Sequence, residues 1–182
     1  MNNKKILLLT LTLLLGSLFT LKGFSQEAYL KYTINETSYS FKGKQVLGAK
    51  RAGDKTDEDK VDFQLVSGYL DFSVNTPVKL SFKIRIEKGK KLQVGKYSYQ
   101  DLLSQTKILP NVYITIERET ADGLIFYNTD APDNGVFEIT KVAGDWIEGT
   151  FEANIPNDLE EDAPPIKVTK GSFKLHIKEY KW

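Results

Sequence analysis

Apolar and polar side chains alternate with a period of two through most of the chain beyond residue 26. In VKLSFKIRI (78–86), Val78, Leu80, Phe82, Ile84 and Ile86 face one way, and Lys79, Ser81, Lys83 and Arg85 face the other. That is a strand with one face on a core and the other in water. Leu70, Phe72 and Val74 alternate with Asp71 and Ser73. Val112, Ile114 and Ile116 alternate with Tyr113, Thr115 and Glu117, and Phe173, Leu175 and Ile177 with Lys174, His176 and Lys178. Weaker strands are expected at 29–34, 38–41, 46–50, 61–66 and 124–128. The single helical candidate is 99–109, where Leu102, Leu103, Thr106 and Leu109 form a short stripe that Pro110 ends. Strands at short spacing with turn signals predict an all-β fold, either an antiparallel β-sandwich or a lipocalin-like barrel, with at most one short helix.

Turn chemistry adds register. Asp122-Gly123 between two apolar runs signals a hairpin. A second hairpin is expected at Ala143-Gly144-Asp145. Pairing Val142 with Trp146 across that three-residue loop sets Phe137 opposite Phe151, Ile139 opposite Gly149 and Thr140 opposite Glu148. A slip of one residue would set Ile139 against Glu148, which a half-buried sheet rejects.

The first 25 residues break the pattern. Lys4 and Lys5 precede an apolar run from Ile6 to Leu15, and Gly23 and Ser25 place small residues before Gln26. This is the three-part pattern of a secretory signal peptide. The stretch 6–21 is interrupted by Thr10, Thr12, Ser17 and Thr20, and is shorter than the ~20 apolar residues that span a bilayer. The expected organisation is a signal peptide at 1–25 and a single β domain at 26–182. The mature protein is expected to be periplasmic or secreted, with no stable membrane insertion. With no cysteine, it has no N-terminal lipoprotein anchor.

Composition narrows the chemistry. The chain has no Cys and one His, so thiolate zinc sites, Fe–S clusters, Cys nucleophiles and disulfides are excluded. With 25 basic and 24 acidic residues, the formal charge is +1. The leader removes Lys4, Lys5 and Lys22 and no acid. No basic face remains for nucleic acid, and none is expected as a partner.

Four groups of residues bear on function. The acidic run 54–62 is rich in oxygen ligands for calcium. It lacks EF-hand spacing, and Lys55 and Lys60 dilute it, so it reads as a solvated loop, as does 158–162. No metal or cofactor is expected. His176 lies between Lys174 and Lys178 with no adjacent carboxylate to orient it as a base. Glu138, Glu148 and Glu152 share the polar face of one hairpin, where a glycosidase pair would need carboxyls about 5 Å or ~6.5–9.5 Å apart. Tyr69, Tyr113 and Trp146 interrupt otherwise polar faces, with Tyr180 and Trp182 at the end. Exposed aromatics stack on sugar rings or anchor protein partners, so these three are the candidate ligand-binding residues.

The C-terminal third carries GVFEIT (135–140), WIEGTF (146–151) and VTKGSF (168–173), and LQVGKY (92–97) precedes them. Together with a leader ending GFSQ, these runs resemble small secreted β-rich domains of unknown function found in Bacteroidetes. The resemblance implies a sandwich or a lipocalin-like barrel and carries no activity. Gly149 and Gly171 interrupt its strands, where a bulge or a close backbone approach is expected. The leading functional expectation is a non-enzymatic, exported module that binds a protein partner or small ligand in the cell envelope. The alternatives are a carbohydrate-binding module using the exposed aromatics and a glycoside hydrolase using paired glutamates.

Overall fold

The computed structural model describes residues 26–52, 63–100, 109–121, 123–156 and 164–179. The leader, the acidic runs 54–62 and 158–162, most of the helical candidate (101–108), and Tyr180 and Trp182 lie outside them. Among the described residues, eleven strands follow in order: β1 (Tyr29–Ile34), β2 (Thr37–Lys42), β3 (Val46–Ala52), β4 (Phe63–Leu70), β5 (Val78–Glu87), β6 (Gly95–Tyr99), β7 (Asn111–Thr120), β8 (Gly123–Asn128), β9 (Gly135–Ala143), β10 (Trp146–Ile155) and β11 (Ile166–Glu179). Helical structure among the described residues is confined to the 3₁₀ turns Gly43–Gln45 and Pro132–Asn134. Tyr99, placed at the start of the helical candidate, instead ends β6 and is fully buried.

The sheet closes on itself. Neighbours run β3-β4-β5-β7-β6-β9-β10-β11, and β11 returns to β3. The β11–β3 and β6–β7 contacts are parallel and the others antiparallel. The result is an eight-stranded barrel, one of the two architectures the alternation predicted. Closure leaves no open edge within the ring of strands. Three strands lie outside that ring. The β1–β2 hairpin pairs with the first half of β11, and β8 pairs with the second half of β7.

The branch at β7 has a local cause. The Ile114 amide donates to Thr129 Oγ1 (3.0 Å), while the Thr129 amide donates to the Ile114 carbonyl (3.0 Å). The Gln100 amide, just past β6, donates to the Val112 carbonyl (3.0 Å). The edge of β7 is thus served first by β6 and then by β8, with buried polar groups satisfied at the junction, as burial requires.

Alternation explains the interior. Leu80, Phe82, Ile84 and Ile86 of β5 are buried, as are Val112, Ile114 and Ile116 of β7 and Phe173 and Leu175 of β11. Phe137, Phe151 and Phe173 gather round Phe82, with centroids 5.0, 6.3 and 4.7 Å from it. Room for these rings comes from glycine. A Cβ on Gly149 would lie 2.4 Å from Phe173 Cζ, and one on Gly171 would lie 2.5 Å from Phe151 Cδ2. Phe151 pairs with Gly171, and the ladder slips between Phe151 and Ala153, opposite Lys170 at φ 52°. The close approach and the bulge expected at these glycines are both present.

Two expectations need correction. Phe137 does face Phe151, and Ile139 faces Gly149, but the loop is not three residues long. Ala143 pairs with Trp146 across Gly144-Asp145, with Gly144 at φ 60°. That is the tight turn a glycine in the first central position allows. A bulge then restores the register, so Glu148 faces Lys141 and not Thr140. The second correction concerns 70–74. The strand ends at Leu70, and a turn follows. Asp71 Oδ1 accepts the Ser73 amide (2.9 Å) and the Ser73 hydroxyl (2.6 Å), and the Val74 amide donates to the Asp71 carbonyl (3.0 Å). These local bonds compete with the ladder and win.

Candidate functional site

The outer face of β3, β4, β5, β7 and β8 carries a groove of about 520 Å³. Its floor follows from cross-strand pairing. Ala49 faces Ser67, Ser67 faces Lys83, and Ser81 faces Thr115. Four small residues on adjacent strands make a hollow where longer side chains would fill the space. Three of them present hydroxyls.

The walls are aromatic and cationic. Tyr69 rises from β4, Phe72 from the turn after it, and Phe126 from β8. Phe72 is 89% exposed and Phe126 51% exposed. Val74 is buried beneath the Asp71–Ser73 turn, so the turn is pinned from below and Phe72 is pushed into solvent. The Ser73 hydroxyl, and then its amide, hold the Asp71 carboxyl below its ordinary range. Arg51, Lys79 and Lys83 also line the groove, with Glu117 as the acid, and Lys79 faces Glu117 across the ladder.

The three candidate aromatics do not converge. Tyr69 is half-buried and lines the groove. Tyr113 stands on the outer face as expected, but it is 3% exposed. The Lys83 ammonium and the Arg85 guanidinium cover its ring, 5.4 and 5.6 Å from the centroid. Trp146 is on β10, separated from β4 by β11 and β3. At ~4.8 Å between neighbouring strands, that is about 14 Å from Tyr69. It stacks on His176, and Lys174 sits 5.7 Å from its centroid. Phe72 and Phe126 were not among the sequence candidates. Phe72 fell in an apolar alternation, and Phe126 in an apolar run with no polar face to interrupt.

The glutamates share the outer face of the β9–β10 hairpin, Glu138 lying diagonally from both Glu148 and Glu152. Glu138 faces Thr150 and Lys96 across its two ladders. Glu152 is exposed, opposite Val136. Glu148 is bridged by Lys174 (3.2 Å) and Lys141 (3.6 Å). Partial burial pushes its carboxyl up, and the hydrogen bond and charge of Lys174, with help from Lys141, outweigh that push and hold it below the usual range. Among the described residues, no three of His, Asp and Glu are grouped to hold a metal ion. None of the described helical segments is long and apolar enough to cross a membrane.

No family model, curated protein or solved structure matches the chain.

Proposed function

We propose that this protein is an exported, non-enzymatic binding module of the cell envelope, akin to the small secreted Bacteroidetes domains, and that it holds its protein or small-molecule ligand in the outer groove. The observation that carries this reading is the groove itself, a hollow with a floor of small residues and walls of exposed Phe72 and Phe126. Large exposed apolar side chains rimmed by polar groups mark interaction surfaces. Supporting it, four phenylalanine rings occupy the middle of the barrel, so the ligand is taken on the outside and not in the interior as a lipocalin takes one. Two lysines keep Glu148 ionised, which suits a structural ion pair better than a general acid.

A second reading has its own observation. Tyr69 stands beside the hydroxyls of Ser67 and Ser81, the combination of ring and hydrogen-bonding groups that recognises a sugar. Wild type and Ser81→Arg, which fills the floor, are compared on a glycan array and in photo-crosslinking to envelope proteins. A ligand held by wild type and lost in Ser81→Arg is the expected result. Equal retention by both would place binding outside the groove, and cleavage of any glycan by wild type would overturn the non-enzymatic reading.

A further inference from the structure

We propose that the outer edge of β8, which no strand pairs among the described residues, pairs with β8 of a second copy of this chain, antiparallel, across a two-fold axis. The inference rests on backbone groups and is independent of what the groove binds. Thr129 and Ile114 face each other, and the Thr129 amide bonds to the Ile114 carbonyl. On the other side of β7, the Glu119 amide bonds to the Pro77 carbonyl, towards β5. Hydrogen bonding alternates along an antiparallel ladder, so Gly123, Ile125 and Tyr127 direct their backbone groups at β7. Leu124, Phe126 and Asn128 direct theirs away from it. Among the described residues, no strand pairs that far edge.

Extended edges of this kind are normally guarded by charge, proline or a bulge. The outermost strand of the β1–β2 hairpin follows that rule, with exposed Thr37, Ser38, Ser40 and Lys42. β8 does not. Its sequence, GLIFYN, has no charge and no proline, and Leu124 and Phe126 are 55% and 51% exposed. The strand is also its own complement. When Leu124 of one copy faces Phe126 of the other, the reverse pair forms too, and each pair exchanges two backbone hydrogen bonds. Both exposed apolar side chains then meet on one face, and no like charges on the paired strands oppose each other. Because Phe126 also lines the groove, the two grooves of the dimer share one continuous outer face.

The geometry provides a selective test. The Phe126 N–H points away from β7, so Phe126→Pro removes a donor from the outer edge and leaves the β7–β8 ladder intact. Phe126→Lys adds the missing charge and leaves the backbone alone. Sedimentation equilibrium of the purified protein over a concentration series is expected to show wild type approaching twice the monomer mass. Both variants are expected to dissociate at least about tenfold more readily, with unchanged circular dichroism. If Phe126→Pro fails to fold, Phe126→Lys decides. Hydrogen exchange is expected to protect the amides of Leu124 and Phe126 only at high concentration, and those of Gly123, Ile125 and Tyr127 at every concentration. A wild type that stays monomeric, a dimer that Phe126→Lys leaves unchanged, or concentration-dependent protection elsewhere would overturn the proposal.

Discussion

Trp146 lies flat on His176, with ring centroids 4.9 Å apart and planes 17° from parallel. The two residues pair directly across β10 and β11, and Lys174 reaches the same indole. The contact gives this tryptophan a packing role, because stacked rings contribute about 0.5–1.5 kcal/mol beyond the area they bury. Trp146→Ala is therefore expected to cost at least about 1 kcal/mol in urea unfolding and to leave groove binding intact. Unchanged stability with lost binding would return Trp146 to the list of ligand contacts.

Phe151 is 1% exposed and lies among Phe82, Phe137 and Phe173. Removing it leaves a cavity that the rigid barrel cannot close. Phe151→Ala is expected to lose about 3–5 kcal/mol of unfolding free energy. A loss under about 1 kcal/mol would mean that its face of the strand is solvated.

Gly149 tests the same core from the opposite direction. Its missing Cβ would lie 2.3 Å from the Glu138 carbonyl oxygen and 2.4 Å from Phe173 Cζ. The backbone oxygen cannot move without breaking the β9–β10 ladder. Gly149→Ala is expected to destabilise by about 1–3 kcal/mol through overpacking, measured by denaturant midpoint.

Glu148 supplies a pH dependence. Its folded carboxyl titrates below its unfolded value, so the stability it contributes is present above the unfolded value and is lost as pH falls through the folded one. Lys174→Met removes the nearer lysine. Unfolding measured at neutral pH and at about pH 3 is expected to show a smaller acid loss in the variant than in wild type, by under about 1 kcal/mol, the scale of a solvent-accessible ion pair. An equal acid loss in both proteins would show that the bridge does not set this titration.

Phe72 separates binding from folding. At 89% exposure it has little burial to lose, so Phe72→Ala is expected to change stability by less than about 0.5 kcal/mol. Any ligand held in the groove is expected to bind the variant more weakly, read by calorimetry with a ligand identified on the array or by crosslinking. Full retention of affinity would remove this ring from the site.

Face assignment was legible in the sequence wherever alternation was strict. Val78–Ile86 became β5 with its apolar set inward, and 29–34 became β1 with the boundaries expected. A half-buried sheet tolerates only one of two faces, so period two decides the question locally. The pairing of Phe137 with Phe151 was expected across a three-residue loop, and it arises instead from a two-residue turn offset by a bulge between Glu148 and Gly149. Local hydrogen bonding was harder to weigh. Asp71 and Ser73 turn the chain where alternation continues, because a side-chain carboxylate offers the backbone a nearer partner than the next strand does.

Alternation and turn chemistry by themselves therefore determined an all-β chain, which side of each regular strand faces the core, and the hairpin partners of β9 and β10. Barrel closure, the branch of β7 between β6 and β8, and the groove were decided only in three dimensions. A strand's pattern records which face is wet and carries no record of which strand lies beside it. Ala49, Ser67, Ser81 and Thr115 are unremarkable outward residues on four separate strands, and they become a floor only when β3, β4, β5 and β7 lie side by side. Tyr113 shows the same limit in reverse: its outward position was readable, but the cations that cover it come from β5, more than 25 residues away in the chain and one strand away in the barrel.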